Sequence, residues 1–212
     1  MWIHCFKQQW REIAITAFSF GAYFGTGHIP SLKAHRVPAT ALDHAVPLLP
    51  WTVYGYVSLY PLLLANLVYL VPRPRALRPV LQAVTLANAL SGMLFVTFRT
   101  TVPRPTLALG HGSRLLRLIW QADPPHNAVP SLHTTYSVLI ALAHWRWRSP
   151  YRAIVLPWCS LIIATTLTTK QHQTVDVVAG IALGSIIGRL FLRTMASEQR
   201  HNHEQSESVA MV

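Results

Sequence analysis

Six apolar stretches, near residues 12–30, 51–71, 79–98, 131–147, 153–169 and 174–192, divide this chain. Each is close to the ~20 residues that a helix needs to cross a bilayer. Inside hydrocarbon every backbone N–H and C=O must find a partner within the protein, which leaves helices as the way to span from segments of this length. The expected fold is therefore all-α, a polytopic membrane protein with six transmembrane helices. Composition points the same way. The chain is 51% hydrophobic and 12% charged, against about 25% charged in soluble domains.

The stretches are not equivalent. The first begins at Glu12 and holds Gly21, Gly25 and Gly27. It lacks the basic lead and compact Leu-rich core of a secretory signal, so it reads as a span. The third carries Gln82, Asn88 and Ser91, expected to face other helices rather than lipid. In the sixth, Gly180, Gly184 and Gly188 form a stripe at spacing four that allows close helix approach. The longest connection, 99–130, includes Arg114–Trp120, which reads as a short interfacial helix. Residues 1–195 are expected to form one membrane domain, with its chemistry within 99–190. The polar stretch 196–212 reads as a disordered tail. Cys5 and Cys159 are the only cysteines, too few for a disulfide framework or a thiolate metal site.

The net charge of +11 would suggest nucleic acid in a soluble protein. Here the basic residues sit in short connections, where they act as topology signals and contacts for anionic membrane lipids. No nucleic-acid partner is expected. With six spans, Lys7, Arg11, Arg73, Arg75, Arg78, Arg146, Arg148, Arg152, Arg189, Arg193 and Arg200 share one side. Lys33, Arg36, Arg99, Arg104, Arg114, Arg117 and Lys170 fall on the other. The richer side is cytoplasmic by the positive-inside rule, which places both termini there.

Two polar clusters then open on the extracytoplasmic face: Pro130-Ser131-Leu132-His133 and Lys170-Gln171-His172-Gln173-Thr174-Val175-Asp176. An imidazole and a carboxylate at a bilayer edge are costly, so they are read as functional. His172 and Asp176 are four residues apart and would share a helix face. The carboxylate can take the proton of one ring nitrogen and leave the other to attack. Ser131 and the amides after it start a helix, a natural site for phosphate. Arg104 and Lys170 supply positive charge, and His133 can donate a proton to a leaving alkoxide. Together these parts suit phosphoryl transfer through histidine.

At these residues the chain resembles the type 2 phosphatidic-acid phosphatase superfamily, over roughly 43–190. That family's motifs are Lys-x6-Arg-Pro, Pro-Ser-x-His and Ser-Arg-x5-His-x3-Asp. Pro130, Ser131 and His133 match the second in full, His172 and Asp176 match the end of the third, and Arg104-Pro105 matches the end of the first. The motif lysine falls at Thr97 and the Ser-Arg at Thr165-Thr166, so both cations are missing from their usual places. Arg99 and Lys170 lie close enough to substitute. Asp43–Tyr60, with Pro47, Pro50, Trp51 and Tyr54, and Asp123-Pro124-Pro125 before Asn127, resemble the inositolphosphotransferase-like branch.

The resemblance implies a helical membrane enzyme with a phosphohistidine intermediate, no metal and no cofactor. Its expected activity is that of a lipid phosphate phosphatase. The alternative at the same site is transfer of a phospholipid or sphingolipid headgroup. His172, His133 and Asp176 would be catalytic; Arg104, Ser131, Lys170 and Arg99 would hold phosphate. A soluble haloperoxidase is excluded by the apolar stretches. A non-catalytic lipid-binding or transport protein is the rival from another class.

Overall fold

The computed structural model describes residues 2–27, 29, 33–123 and 125–192, and the chain is mostly helical. Helix α1 spans Trp2–Thr26, α2 Ala41–Ala45, α3 Val53–Val57, α4 Leu59–Leu70 and α5 Pro74–Thr97. They are followed by α6 Ser113–Ala122, α7 Leu132–Arg146, α8 Arg152–Thr168 and α9 Thr174–Phe191. Two short strands, β1 (His35–Arg36) and β2 (Thr100–Thr101), pair in parallel and tie the first long connection to the end of α5. The tail expected over 196–212 lies outside the described residues, as do His28, Pro124, Arg193 and Arg200.

The expected spans are all helical, with shifted ends. The first helix starts at Trp2 rather than Glu12 and stops at Thr26. The second is broken: a 3-10 turn at Pro50–Thr52 leads into α3, and Ser58 separates α3 from α4. Pro61 accounts for the break, because it has no N–H to give the carbonyl of Val57 and its ring crowds that group. Helix α5 begins earlier than expected, with Pro74 in its first turn, where a missing N–H costs nothing. The interfacial segment is helical as α6.

Among the described residues, three helical stretches are long and apolar enough to cross a membrane: Pro50–Leu70, Pro74–Thr97 and Thr174–Phe191. This is compatible with a membrane protein. Helix α8 is apolar but has only 17 residues, and α7 has 15, among them His133, Thr134, Thr135, Ser137 and His144. Helix α1 carries Lys7, Arg11 and Glu12 in its first half. Large apolar side chains face outward around the bundle, with Phe18 78% and Leu64 63% exposed, as lipid contact requires.

Helix α7 is the hub, packing against α5, α8 and α9. The glycine stripe makes this possible. A Cβ on Gly180 would lie 2.6 Å from Ser131 O, one on Gly184 2.9 Å from Thr135 O, and one on Gly188 2.6 Å from Leu142 Cδ1. The main core gathers Leu59, Leu62, Ala87, Phe95, Leu139, Ile140, Ile162 and Ile187 from α4, α5, α7, α8 and α9. Asn88 and Ser91 are buried as expected, whereas Gln82 faces outward. Asn88 joins three helices: it takes the hydroxyl proton of Tyr136 on α7 and donates to Ser19 Oγ on α1 at 2.7 Å. Polar groups buried between helices find partners in this way. The result brings the C-terminal ends of α1, α5 and α8 and the N-terminal ends of α7 and α9 together at one end of the bundle.

Candidate active site

Helix α9 starts at this end with a capping box. Gln173 is its N-cap, and Asp176 reaches back to accept the Gln173 N–H at 2.8 Å. The same oxygen, Oδ2, lies 3.3 Å from His172 Nδ1. His172 therefore precedes the helix rather than sharing its face. The pairing expected from the spacing forms across the helix start, where the N-terminal dipole favours the carboxylate. Asp176 is fully buried, and its Oδ1 has no hydrogen-bond partner among the described residues. With Nδ1 turned to the carboxylate, His172 Nε2 is the nitrogen left for chemistry.

Ser131 is the N-cap of α7. Its Oγ accepts from Thr134 N at 3.4 Å and from Thr134 Oγ1 at 3.1 Å. Its amide donates to Asp176 O at 3.0 Å, so the cap of one helix is fastened to the first turn of the other. Two residues on, the His133 ring lies face to face with Tyr56, centroids 4.0 Å apart, with Tyr60 edge-on at 6.0 Å. His133 Nε2 is buried with no hydrogen-bond partner among the described residues. His133, His172, Arg104, Gln171 and Asp123 line one cavity of about 20 Å³, room for a single water-sized group. A wider vestibule of about 280 Å³ adjoins it, sharing Arg104 and His172 and adding Arg36, Asp43, His44 and Lys170.

The three expected cations are all drawn onto helix C-terminal carbonyls, whose partial negative charge attracts them. Arg104 donates to Trp120 O, to Asp123 O at 2.6 Å and to Gln171 Oε1 at 2.8 Å, closing the end of α6. Burial lowers its pKa, with the Asp123 carboxylate opposing; a guanidinium keeps its charge through such a shift. Lys170, in a left-handed backbone conformation with φ of 53°, donates to Asp43 O at 2.9 Å and Val46 O at 2.6 Å at the end of α2. Arg99 is buried on Ile29 O at 2.6 Å and Gly27 O at 2.8 Å after α1, and lines neither cavity. The structure thus brings Arg104 and Lys170 to His172 and leaves Arg99 behind the site.

Asp43, Asp123, Gln171 and Tyr23 reach the site although the sequence reading assigned none of them a role in it. Asp43 accepts from Thr174 N at 2.8 Å and Thr174 Oγ1 at 2.7 Å through Oδ1, and from Thr40 N at 2.7 Å and Thr40 Oγ1 at 2.8 Å through Oδ2. Burial alone would raise its carboxyl, but these bonds outweigh it and hold the group below the ordinary carboxylate range. Asp123, Gln171 and Tyr23 line the inner cavity. The acids had a signal: the chain has seven acidic residues, and Asp43, Asp123 and Asp176 all meet at this end. His126 also lines the cavity, its ring held below the usual histidine range by burial and then by Arg99 and Arg104.

The sequence matches the model of the PAP2 superfamily over residues 76–200, more than half of the chain. A stretch of 72 residues is 38% identical to an uncharacterized protein of Methanocaldococcus jannaschii, covering 34% of this chain and 30% of that one. The match therefore spans less than a third of that relative's length. No solved structure matches the chain.

Proposed function

This chain belongs to the PAP2 superfamily, and on that premise we propose that it transfers phosphoryl groups from a phosphorylated lipid through a phosphohistidine on His172. One observation carries the reading: His172 is held at Nδ1 by a buried carboxylate while it shares a cavity with His133 and Arg104. In the first step His172 Nε2 attacks phosphorus and the bond from phosphorus to the lipid oxygen breaks. His133 gives that oxygen its proton, and Asp176 stabilises the positive ring. Water then attacks the phosphohistidine, His133 takes the proton, and inorganic phosphate leaves. Arg104 offers charge to the non-bridging oxygens. Ser131 acts as a joint, holding the α7 cap to Asp176. Lys170 supports the vestibule wall through α2. No step calls for a metal.

We read the bundle as six passes with both termini cytoplasmic and the site on the extracytoplasmic face. Its support is the charge asymmetry and the gathering of the site at one end. The inositolphosphotransferase-like resemblance raises a second reading, in which a lipid alcohol replaces water and a phosphodiester headgroup is moved. A specific observation favours it. Arg104 and Lys170 are engaged by carbonyls, and the Asp123 carboxylate lines the cavity, so a diester monoanion is better balanced there than a monoester dianion.

The test is phosphate release from a panel of lipid phosphates in EDTA, wild type beside His172→Ala. Hydrolysis predicts release that vanishes in the variant, with wild-type protein trapping phosphate on histidine. Release surviving in the variant rejects His172 as nucleophile. Absence of release, with headgroup transfer to an added long-chain alcohol, selects the second reading.

A further inference from the structure

An apolar groove of about 520 Å³, which shares no lining residue with the vestibule, runs between α1 and α5. Phe18, Ala22, Tyr23, Gly92, Met93 and Val96 line it. Phe18 is 78% and Met93 57% exposed, so the groove is open on the flank that carries the bundle's outward-facing apolar side chains. Along α5 it extends from Thr85 to Thr97, about 18 Å at 1.5 Å per residue. That is close to one leaflet, half of the ~30 Å hydrocarbon core.

The groove adjoins the cavity that holds His133 and His172, with Tyr23 as their common wall. The Tyr23 ring packs on the core residue Phe95 with centroids 5.8 Å apart. Beside it, Thr26 lines the groove and accepts from Asn127 Nδ2 at 2.9 Å, and Asn127 lines the inner cavity. The vestibule thus shares His172 and Arg104 with the inner cavity, and the inner cavity shares Tyr23 with the apolar groove. A charged head and a hydrocarbon chain are accommodated in that sequence by one amphiphile.

We infer that the groove between α1 and α5 holds the hydrocarbon chain of the phosphorylated substrate, with Tyr23 at the junction of head and chain. The inference rests on the phosphoryl-transfer reading for the head and adds the chain site. Gly92 sets the width of the groove. A Cβ there would meet nothing nearer than Thr26 Cγ2 at 3.8 Å, an ordinary contact, so a methyl is accommodated and larger side chains at this lining position would take up groove space.

The full-length protein in nanodiscs is photolabelled with hexadecyl phosphate carrying a terminal diazirine, and with the matching diazirine-bearing alcohol. The phosphate probe is expected to label α1 and α5 peptides several-fold more than the alcohol, less so in Gly92→Leu and least in Gly92→Phe. In parallel, kcat/KM for hexadecyl phosphate should fall by at least about tenfold in Gly92→Phe as methylenes lose their place. Butyl phosphate, with the same head, should stay within about twofold, as should both substrates in Gly92→Ala.

Equal labelling by the two probes would mean ordinary bilayer lipid and overturns the proposal. So does labelling confined to other helices, or a parallel loss on both chain lengths. Wild-type protein that is labelled by the phosphate probe as expected but hydrolyses neither substrate leaves the chain site standing and removes the hydrolytic reading instead.

Discussion

The Asp43 carboxylate accepts both the backbone N–H and the hydroxyl of Thr174, at 2.8 and 2.7 Å, from 131 residues away in the chain. Thr174 is the first residue of α9, so Asp43 and Asp176 are two carboxylates satisfying orphan amides of the same helix start. One of them holds His172, the proposed nucleophile, and the other fixes the start of the helix that follows it.

Asp43→Ala is expected to lower kcat by about 10- to 100-fold, because displacing α9 by a fraction of an ångström misaligns His172. It should also lower stability by the amount typical of a lost cap, about 0.5–2 kcal/mol, and the thermal midpoint with it. Asp43→Glu should not restore activity, since the longer side chain cannot meet Thr40 and Thr174 in the same geometry. Steady-state kinetics and thermal unfolding of the two variants check this. Unchanged kcat in Asp43→Ala would separate the clamp from catalysis.

The helices of this fold were legible because lipid-grade segments announce themselves by length, and the spacing of His172 and Asp176 survived into a contact. The expected route to that contact was different, since His172 lies before the helix and the capping box makes the turn. The destinations of Arg99 and Lys170 were not legible. A long cationic side chain goes to whichever carbonyls the tertiary fold brings within reach, and Lys170 finds its partner 127 residues away. No local pattern encodes such a partner. The scarcity of acids was a better guide than the abundance of bases: the few carboxylates outside the tail and Glu12 all have work at one end of the bundle.

Gly180→Ala is expected to destabilise the protein by about 1–3 kcal/mol, since the new methyl would meet Ser131 O at 2.6 Å and Thr134 Cβ at 2.9 Å. Relief requires α9 to move off α7, which stretches the bond from Ser131 N to Asp176 O. Activity should fall with stability. Gly21→Ala and Gly25→Ala, with nothing within 4 Å of the added carbon, should be neutral or slightly stabilising in α1. A denaturation series on the three variants, with activity measured well below each midpoint, tests the contrast.

Lys170→Met separates a phosphate-binding lysine from a structural one. Its Nζ donates to Asp43 O and Val46 O, so its loss should loosen α2 and with it the Asp43 clamp. The expected result is a fall in kcat of about tenfold with a lower thermal midpoint. KM and inhibition by inorganic phosphate should stay within about twofold, because uniform binding of the anion is not what was removed. A weakening of phosphate inhibition matching the loss of activity would place the ammonium on the substrate.

His126 gives the protein a pH dependence whose sign is fixed. Burial, then Arg99 and Arg104, lowers its pKa in the folded chain below the ordinary value near 6.5. The unfolded chain therefore binds the proton more readily, and stability falls with falling pH wherever the unfolded state holds more protons than the folded one. The contribution of the neutral ring is complete above about pH 6.5 and is lost as pH drops from there toward the folded-state value. Asp43, whose carboxyl is held low, adds its own loss only below about pH 4. Thermal midpoints of the wild type are expected to decline between about pH 7 and 5, and those of His126→Asn to decline less over the same range. Parallel curves for the two proteins would show that the ring is protonated without cost and that Arg99 and Arg104 do not reach it.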